Sequence, residues 1–315
     1  MRVPRAVLGT MTFGDTVDHD TAAGLLDLAH DAGVTEIDTA NAYAGGATED
    51  LLGELLARRP GRFSVATKAG IAHPDAGDAA PLSPRAIRAS LEGSLRRLRL
   101  DHVDLFYLHQ PDPATPLADT VTEVAALAGK GLIGRVGVSN FAAWQIVELR
   151  QLFAAAGVPG PVVAQQLYNL VARRIDDEYV AFALASGIET MVYNPLGGGL
   201  LSGRYTFEAA PAEGRFATSR LSPMYRQRYW DPRMFEAVGA LSAIAADAGV
   251  SLPELALRWL VSRPVVGSVL LGASRPAQLT ANLEALARGP LPAEVVERCD
   301  DVGRQLRGPM PAYNR

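Results

Sequence analysis

Cysteine is nearly absent from this 315-residue chain; Cys299 is the only one. No intrachain disulfide and no cysteine-ligated zinc site can be built from it. In a late, polar, helix-like stretch it reads as an ordinary thiol. A strong excess of charge is also missing. Lys+Arg number 30 against 34 Asp+Glu, for a net charge of −4 and a pI near 5.8, which argues against a nucleic-acid or anionic-membrane partner. No apolar run is long enough to span a bilayer, and the N-terminal arginines lead straight into the strand Ala6-Val7-Leu8-Gly9 without a signal-type apolar region. The expectation is a cytoplasmic protein with no membrane partner. A Gly-x-Gly-x-x-Gly turn after an early strand, the usual mark of a doubly wound dinucleotide-binding sheet, does not occur. Low-complexity tracts and internal repeats beyond a strand–helix unit are lacking too.

What is present is alternation. Short apolar runs fall at 5–10, 34–38, 63–68, 103–109, 133–139, 162–168, 190–195 and 267–272, with amphipathic stretches beginning near 20, 48, 84, 117, 142, 176, 234 and 276. Ser83-Pro84 and Asp231-Pro232 place a capping residue before a first-turn proline. Eight near-continuous apolar strands alternating with helices predict an α/β fold, a (β/α)8 TIM barrel, with residues 1–315 forming a single domain. The hydrophobic fraction of 48% is ample for its core. One connection is long. Residues 197–233 show no strong strand or helix, yet contain Tyr205, Phe207, Phe216, Tyr225, Tyr229 and Trp230. That is too aromatic for a disordered linker, so it reads as a lid after strand seven. Residues from about 290 to 315 read as a C-terminal tail at the mouth.

Four residues carry the chemistry. Asp38 closes the second strand, Tyr43 follows on its loop, Lys68 closes the third and His109 the fourth. Any one of them alone is more often structural: a cap, a snorkelling ammonium, a core ring. Together, at the ends of consecutive parallel strands, they converge on the barrel face where such folds do chemistry. Buried polar groups need one another as partners. When a carbonyl accepts hydride, a proton must reach its oxygen. Tyr43 would supply it, Lys68 would lower the phenol's pKa, Asp38 would keep Lys68 charged, and His109 would orient the carbonyl.

Leu8-Gly9-Thr10-Met11, Glu36-Ile37-Asp38-Thr39-Ala40 with Tyr43, Ala66-Thr67-Lys68 and Leu108-His109-Gln110-Pro111-Asp112 resemble the aldo-keto reductase superfamily. The stretch from Tyr193 to Tyr205, then Gly214-Arg215-Phe216, the run Tyr225 to Trp230 and the ending Pro311-Ala312-Tyr313-Asn314-Arg315 are similar to its aflatoxin aldehyde reductase branch. The resemblance implies a barrel that reduces aldehydes or ketones with NADPH, takes a small-molecule carbonyl substrate, binds no metal, and is a monomer or homodimer. It also implies that Ser139, Asn140 and Gln165 hold the nicotinamide carboxamide, an amide needing donors and acceptors. Spacing alone leaves Gln166 open beside Gln165; the family's Gln-x-x-Tyr pattern points to Gln165. Tyr193 would stack on the nicotinamide, followed by Asn194, Pro195 and Leu196, with Gly197 and Gly199 admitting the pyrophosphate. Gly272, Ser274 and Arg275 after strand eight would meet the 2′-phosphate at a helix start, with Arg204 as a second cation. Gln278 and Asn282 would lie near the adenine.

The chain departs from that branch after Lys68, where Ala69-Gly70-Ile71-Ala72-His73 lacks a tryptophan, and at the tail, where Tyr313-Asn314 precedes Arg315 in place of a phenylalanine. Arg228 and Arg315 are the expected contacts for a carboxylate on the substrate, Arg226 being a third rim arginine. Two other readings compete: a cofactor-binding regulatory or redox-sensing subunit, and a barrel isomerase or aldolase using Lys68 as a Schiff-base amine.

Overall fold

The alternation closes into a barrel. In the computed structural model, which describes residues 3–209, 211, 212, 214–217 and 219–309, eight parallel strands pair in the order β1 to β8, and β8 pairs back to β1. The strands are β1 (Arg5–Gly9), β2 (Glu36–Asp38), β3 (Ser64–Ala69), β4 (Val103–Leu108), β5 (Ile133–Ser139), β6 (Val163–Leu167), β7 (Glu189–Tyr193) and β8 (Val266–Leu271). The helices are α1 (His19–Asp31), α2 (Ala47–Ala57), α3 (Pro84–Leu98), α4 (Leu117–Gly129), α5 (Ala143–Ala155), α6 (Tyr179–Ser186), α7 (Ser222–Tyr229), α8 (Pro232–Asp247), α9 (Leu252–Val261), α10 (Pro276–Ala287) and α11 (Ala293–Arg307).

Each strand is buried on both faces, which is why it reads as an apolar run. Val7, Ala66, Leu105, Tyr107, Val163 and Met191 fill the interior, while the other faces of the strands join the larger core beneath the helices. The caps do what their residues suggest. Ser83 Oγ accepts from the Ala86 N–H at 3.4 Å ahead of Pro84, and Asp231 accepts from the Arg233 N–H at 2.9 Å ahead of Pro232.

The lid differs from expectation. It holds a 3-10 turn, Gly197–Ser202, and the eight-residue helix α7. That helix is mostly polar, and only Tyr225 and Tyr229, one turn apart, are buried, too few to show as a periodic apolar stripe. Tertiary contacts hold it instead. The Tyr229 hydroxyl accepts from Asn194 Nδ2 at 2.8 Å and Asn169 Nδ2 at 3.2 Å, both on loops leaving β6 and β7. On the far side, Ser219 Oγ donates to Asp15 Oδ2 at 2.9 Å, on the loop after β1. The lid therefore runs from the end of β7, past β8, to β1. α9 lies beyond the expected helices, because only the short break Ala248-Gly249-Val250-Ser251 separates it from α8. The amphipathic start near 176 is a 3-10 turn, Arg174–Asp177, with α6 following. α11 packs along α8, and Arg307 at its end meets Asp177 at 3.2 Å in the loop after β6. Among the described residues no single helix is long and apolar enough to cross a membrane.

Candidate active site

Lys68 is the hub of the mouth. Alternation along β3 sends Thr67 outward to the helices and Lys68 into the barrel, where its side chain is fully buried. Its Nζ donates to Asp38 Oδ1, to the Thr39 carbonyl at 2.7 Å and to the Tyr43 hydroxyl at 3.1 Å. An ammonium has three protons to donate, and all three are engaged. Burial opposes the charge, but Asp38 and then Tyr43 outweigh it, so the Lys68 pKa lies above the ordinary lysine value. Asp38 is held on its other side, where Oδ2 accepts from Gln165 Nε2 at 2.8 Å.

Burial is the largest influence on Tyr43 and raises its pKa; Lys68 pulls the other way without overcoming it. The expected downward pull of Lys68 is thus present, but the net shift is upward, because the phenol is packed against the mouth rather than solvated. The phenol is accordingly protonated, the form a proton donor needs. The His109 ring lies edge-on to Tyr43 with centroids 6.0 Å apart. Burial, reinforced by Lys68, lowers its pKa to about 3, so the imidazole is neutral. Its Nδ1 is buried without a partner. The structure brings Asp38, Tyr43, Lys68 and His109 together as the sequence suggested.

A second group lies beside them. Asn140, with φ of 63°, donates from Nδ2 to the His109 carbonyl and to Ser139 Oγ, both at 3.0 Å, and its Oδ1 accepts from the Tyr193 hydroxyl at 2.6 Å. Gln165 pairs in register with Ser139 and is spent on Asp38 through its nitrogen. Because a carboxylate only accepts, that contact fixes the amide orientation. Gln166 donates to the Phe141 carbonyl at 2.8 Å and plays a structural part. Asn194, at φ 59°, organises the glycine turn after Pro195 and Leu196: its carbonyl accepts from Gly197 N–H at 3.1 Å and its Oδ1 from Gly198 N–H at 2.6 Å, while Gly199 N–H goes to the Leu196 carbonyl at 2.9 Å. The N–H groups of Gly197 and Gly199 are therefore used within the turn. What the turn offers a ligand is close backbone approach, and a side chain at Gly198 would meet the Tyr225 ring at 2.5 Å.

After β8, the Ser274 N–H and Oγ both donate to Gln278 Oε1 at 3.0 Å, closing the first turn of α10. Arg275 is exposed at its N-cap without a side-chain cap bond, and Asn282 is buried on the same helix. Arg204 lies beside the glycine turn, its Nη2 3.7 Å from where a Cβ on Gly199 would stand. Its Nη2 donates to the Tyr205 hydroxyl at 2.5 Å, with the guanidinium 4.7 Å from that ring's centroid. Arg215 also reaches the β8 exit: its Nη2 would be 3.4 Å from a Cβ on Gly272, and its Nη1 donates to the Tyr225 hydroxyl at 2.5 Å. The Gly214-Arg215-Phe216 triplet was the signal for it. Two guanidiniums at a helix N-terminus fit an anionic group such as a nucleotide phosphate.

Of the rim arginines, Arg226 turns away, donating to the Phe216 carbonyl at 2.8 Å and lying 5.1 Å from the Trp230 centroid. On the opposite side of α7 is Arg228, two residues on; burial raises the Tyr193 pKa above the ordinary tyrosine value, and the Arg228 charge pulls against that rise without overcoming it. Arg315 lies outside the described residues.

A closed parallel barrel whose mouth holds a carboxylate–ammonium–phenol chain beside a neutral imidazole has the architecture of a barrel oxidoreductase. The chain belongs to the Aldo/keto reductase family, whose sequence profile matches residues 5–304. Aflatoxin B1 aldehyde reductase member 2 of Rattus norvegicus is 35% identical, over 99% of this chain and 88% of its own length. Aldo-keto reductase family 7 member A3 of Homo sapiens is 36% identical, over 99% of this chain and 97% of its own. A probable voltage-gated potassium channel subunit beta of Oryza sativa subsp. japonica is 34% identical, over 96% of this chain and 93% of its own.

Proposed function

We propose that this chain reduces aldehydes and ketones with NADPH, with Tyr43 delivering the proton to the carbonyl oxygen. The observation that carries this is the contact of the buried Lys68 ammonium, anchored by Asp38, with the Tyr43 hydroxyl at 3.1 Å. NADPH supplies the hydride when bound. The residues do the rest. His109, neutral, places a hydrogen-bonding edge beside Tyr43 for the carbonyl oxygen. As negative charge grows on that oxygen, the Tyr43 proton moves to it, and Lys68 stabilises the phenolate left behind. Ser139, Asn140 and Gln165 would hold the nicotinamide carboxamide. Gln165, its amide nitrogen committed to Asp38, would accept through Oε1. Tyr193 would stack on the ring, the turn from Asn194 to Gly199 would pass the pyrophosphate, and Ser274, Arg275 and Arg215 would take the phosphate at α10, with Gln278 and Asn282 toward the adenine.

Reading Lys68 as a Schiff-base amine fares worse: a nucleophilic amine must be neutral, whereas this one is held charged with its three protons in use. A regulatory subunit that binds the cofactor has the potassium-channel beta relatives in its favour. The test is NADPH consumption followed by absorbance over a panel of aldehydes and ketones. Multiple turnovers support the reductase; tight NADPH binding without turnover on any member supports the regulatory reading.

A further inference from the structure

One ion pair reaches the strand that carries Lys68 without belonging to the proton-delivering group: Glu49, fully buried, and Arg97, half-buried. Glu49 is in the first turn of α2 and is fully buried. Its Oε2 accepts from Arg97 Nε at 2.9 Å, and its Oε1 accepts from Thr67 Oγ1 at 2.5 Å. Thr67 directly precedes Lys68 on β3, facing outward where Lys68 faces in. Arg97 also meets Asp75 at 2.9 Å, in the loop that follows β3. The carboxylate thus ties the start of α2 to the strand carrying Lys68.

The start of α2 is also the end of the turn carrying Tyr43. Tyr43–Gly46 is a 3-10 turn in which Ala44, Gly45 and Gly46 have φ of 48°, 66° and 101°. Ala44, a residue with a Cβ in the left-handed region, is strained and persists there only where its surroundings over-determine it. Those surroundings are visible. Thr48 Oγ1 donates to the Phe13 carbonyl at 2.7 Å, Glu49 is pinned as described, and the Arg97 side chain fills the space beside Gly46, 3.1 Å from where a Cβ would lie. α2 and α3 are in backbone contact, since a Cβ on Gly53 would stand 2.0 Å from the Arg97 carbonyl. A buried ion pair is not needed for stability, because apolar residues of like volume often serve as well. What the ionic pair adds is direction: two oxygens, one fixed on β3 and one on α3.

We propose that Glu49 is a positioning residue which, with Arg97, clamps the Tyr43 turn to the strand bearing Lys68 and so sets the contact between the Lys68 ammonium and the Tyr43 hydroxyl. This rests on Tyr43 being the proton donor, so Tyr43→Phe is measured alongside. The variants are Thr67→Val, Thr67→Ser and the double apolar replacement Glu49→Leu with Arg97→Leu. Each is assayed for kcat and its pH profile with benzaldehyde, NADPH affinity by fluorescence titration, and unfolding midpoint. Thr67→Val should lower kcat about tenfold or more with NADPH affinity unchanged, and Thr67→Ser should restore it. The double variant should be less stable than wild type, because Asp75 loses Arg97, and slow, and its alkaline kcat limb should move to higher pH as Lys68 loosens from Tyr43. A folded double variant or Thr67→Val with wild-type kcat and pH profile overturns the proposal, as does a slow Thr67→Val that Thr67→Ser does not rescue. If the double variant does not fold, the Thr67 pair decides. If Tyr43→Phe itself turns over normally, the proton-donor assignment fails instead.

Discussion

Asp38 and Lys68 form a fully buried ion pair at the barrel mouth, and the ammonium that Asp38 fixes is the one that touches Tyr43. Breaking such a pair leaves an unpaired buried charge, which costs about 3–5 kcal/mol. Lys68→Met should lose about that much stability in chemical denaturation, and adding Asp38→Asn should recover much of it. Neither protein should regain turnover, because neither has a cation to hold the phenolate. Equal stability of Lys68→Met and wild type would contradict this.

His109 makes the stability depend on pH. Its pKa falls from 6.5 to about 3 on folding, so between those values the unfolded chain binds a proton that the folded chain does not. Stability therefore declines as pH drops from about 6.5 toward about 3 through this group. His109→Gln should flatten that slope in denaturation curves taken across the window. An unchanged slope would show that His109 is not held neutral.

NADPH should bind about a hundredfold more tightly than NADH, the scale of two charge-assisted hydrogen bonds at about 1.5 kcal/mol each. Arg275 and Arg215 flank the β8 exit, and replacing either with alanine should cut the preference by roughly tenfold. Fluorescence titration gives both dissociation constants, and identical values for the two cofactors would remove the phosphate assignment.

The Arg228 charge is felt at Tyr193, at the end of β7. Aldehydes carrying a carboxylate should show a lower KM than neutral ones of equal size, and Arg228→Ala should erase the difference, about 1.5–3 kcal/mol for a charged hydrogen bond. Arg226→Ala should not, since that guanidinium is engaged with Phe216 and Trp230.

The barrel and the four-residue cluster were legible in the sequence for one reason. Parallel strands buried on both faces appear as apolar runs, and a polar residue closing such a run stands out, as Asp38, Lys68 and His109 do. The lid helix was not legible: α7 buries only Tyr225 and Tyr229, and its fold depends on Asn169 and Asn194, far away in the chain. The net upward shift of Tyr43 was missed because the sequence shows the neighbouring lysine but not the packing that opposes it. Arg204 and Arg215 have the same chemistry eleven positions apart, and only the path of the lid separates the one stacked on Tyr205 from the one beside Gly272. Nothing local in the sequence marks Glu49, because its partners, Thr67 and Arg97, lie far along the chain.

The most direct test of proton delivery is Tyr43→Phe, assayed by NADPH absorbance with saturating aldehyde. The ring and its packing remain while the transferable proton is lost. The account predicts a fall in kcat of about a hundredfold or more, with NADPH affinity within about twofold of wild type, well below the tenfold that 1.4 kcal/mol of binding energy would give. Wild-type turnover by Tyr43→Phe would contradict it.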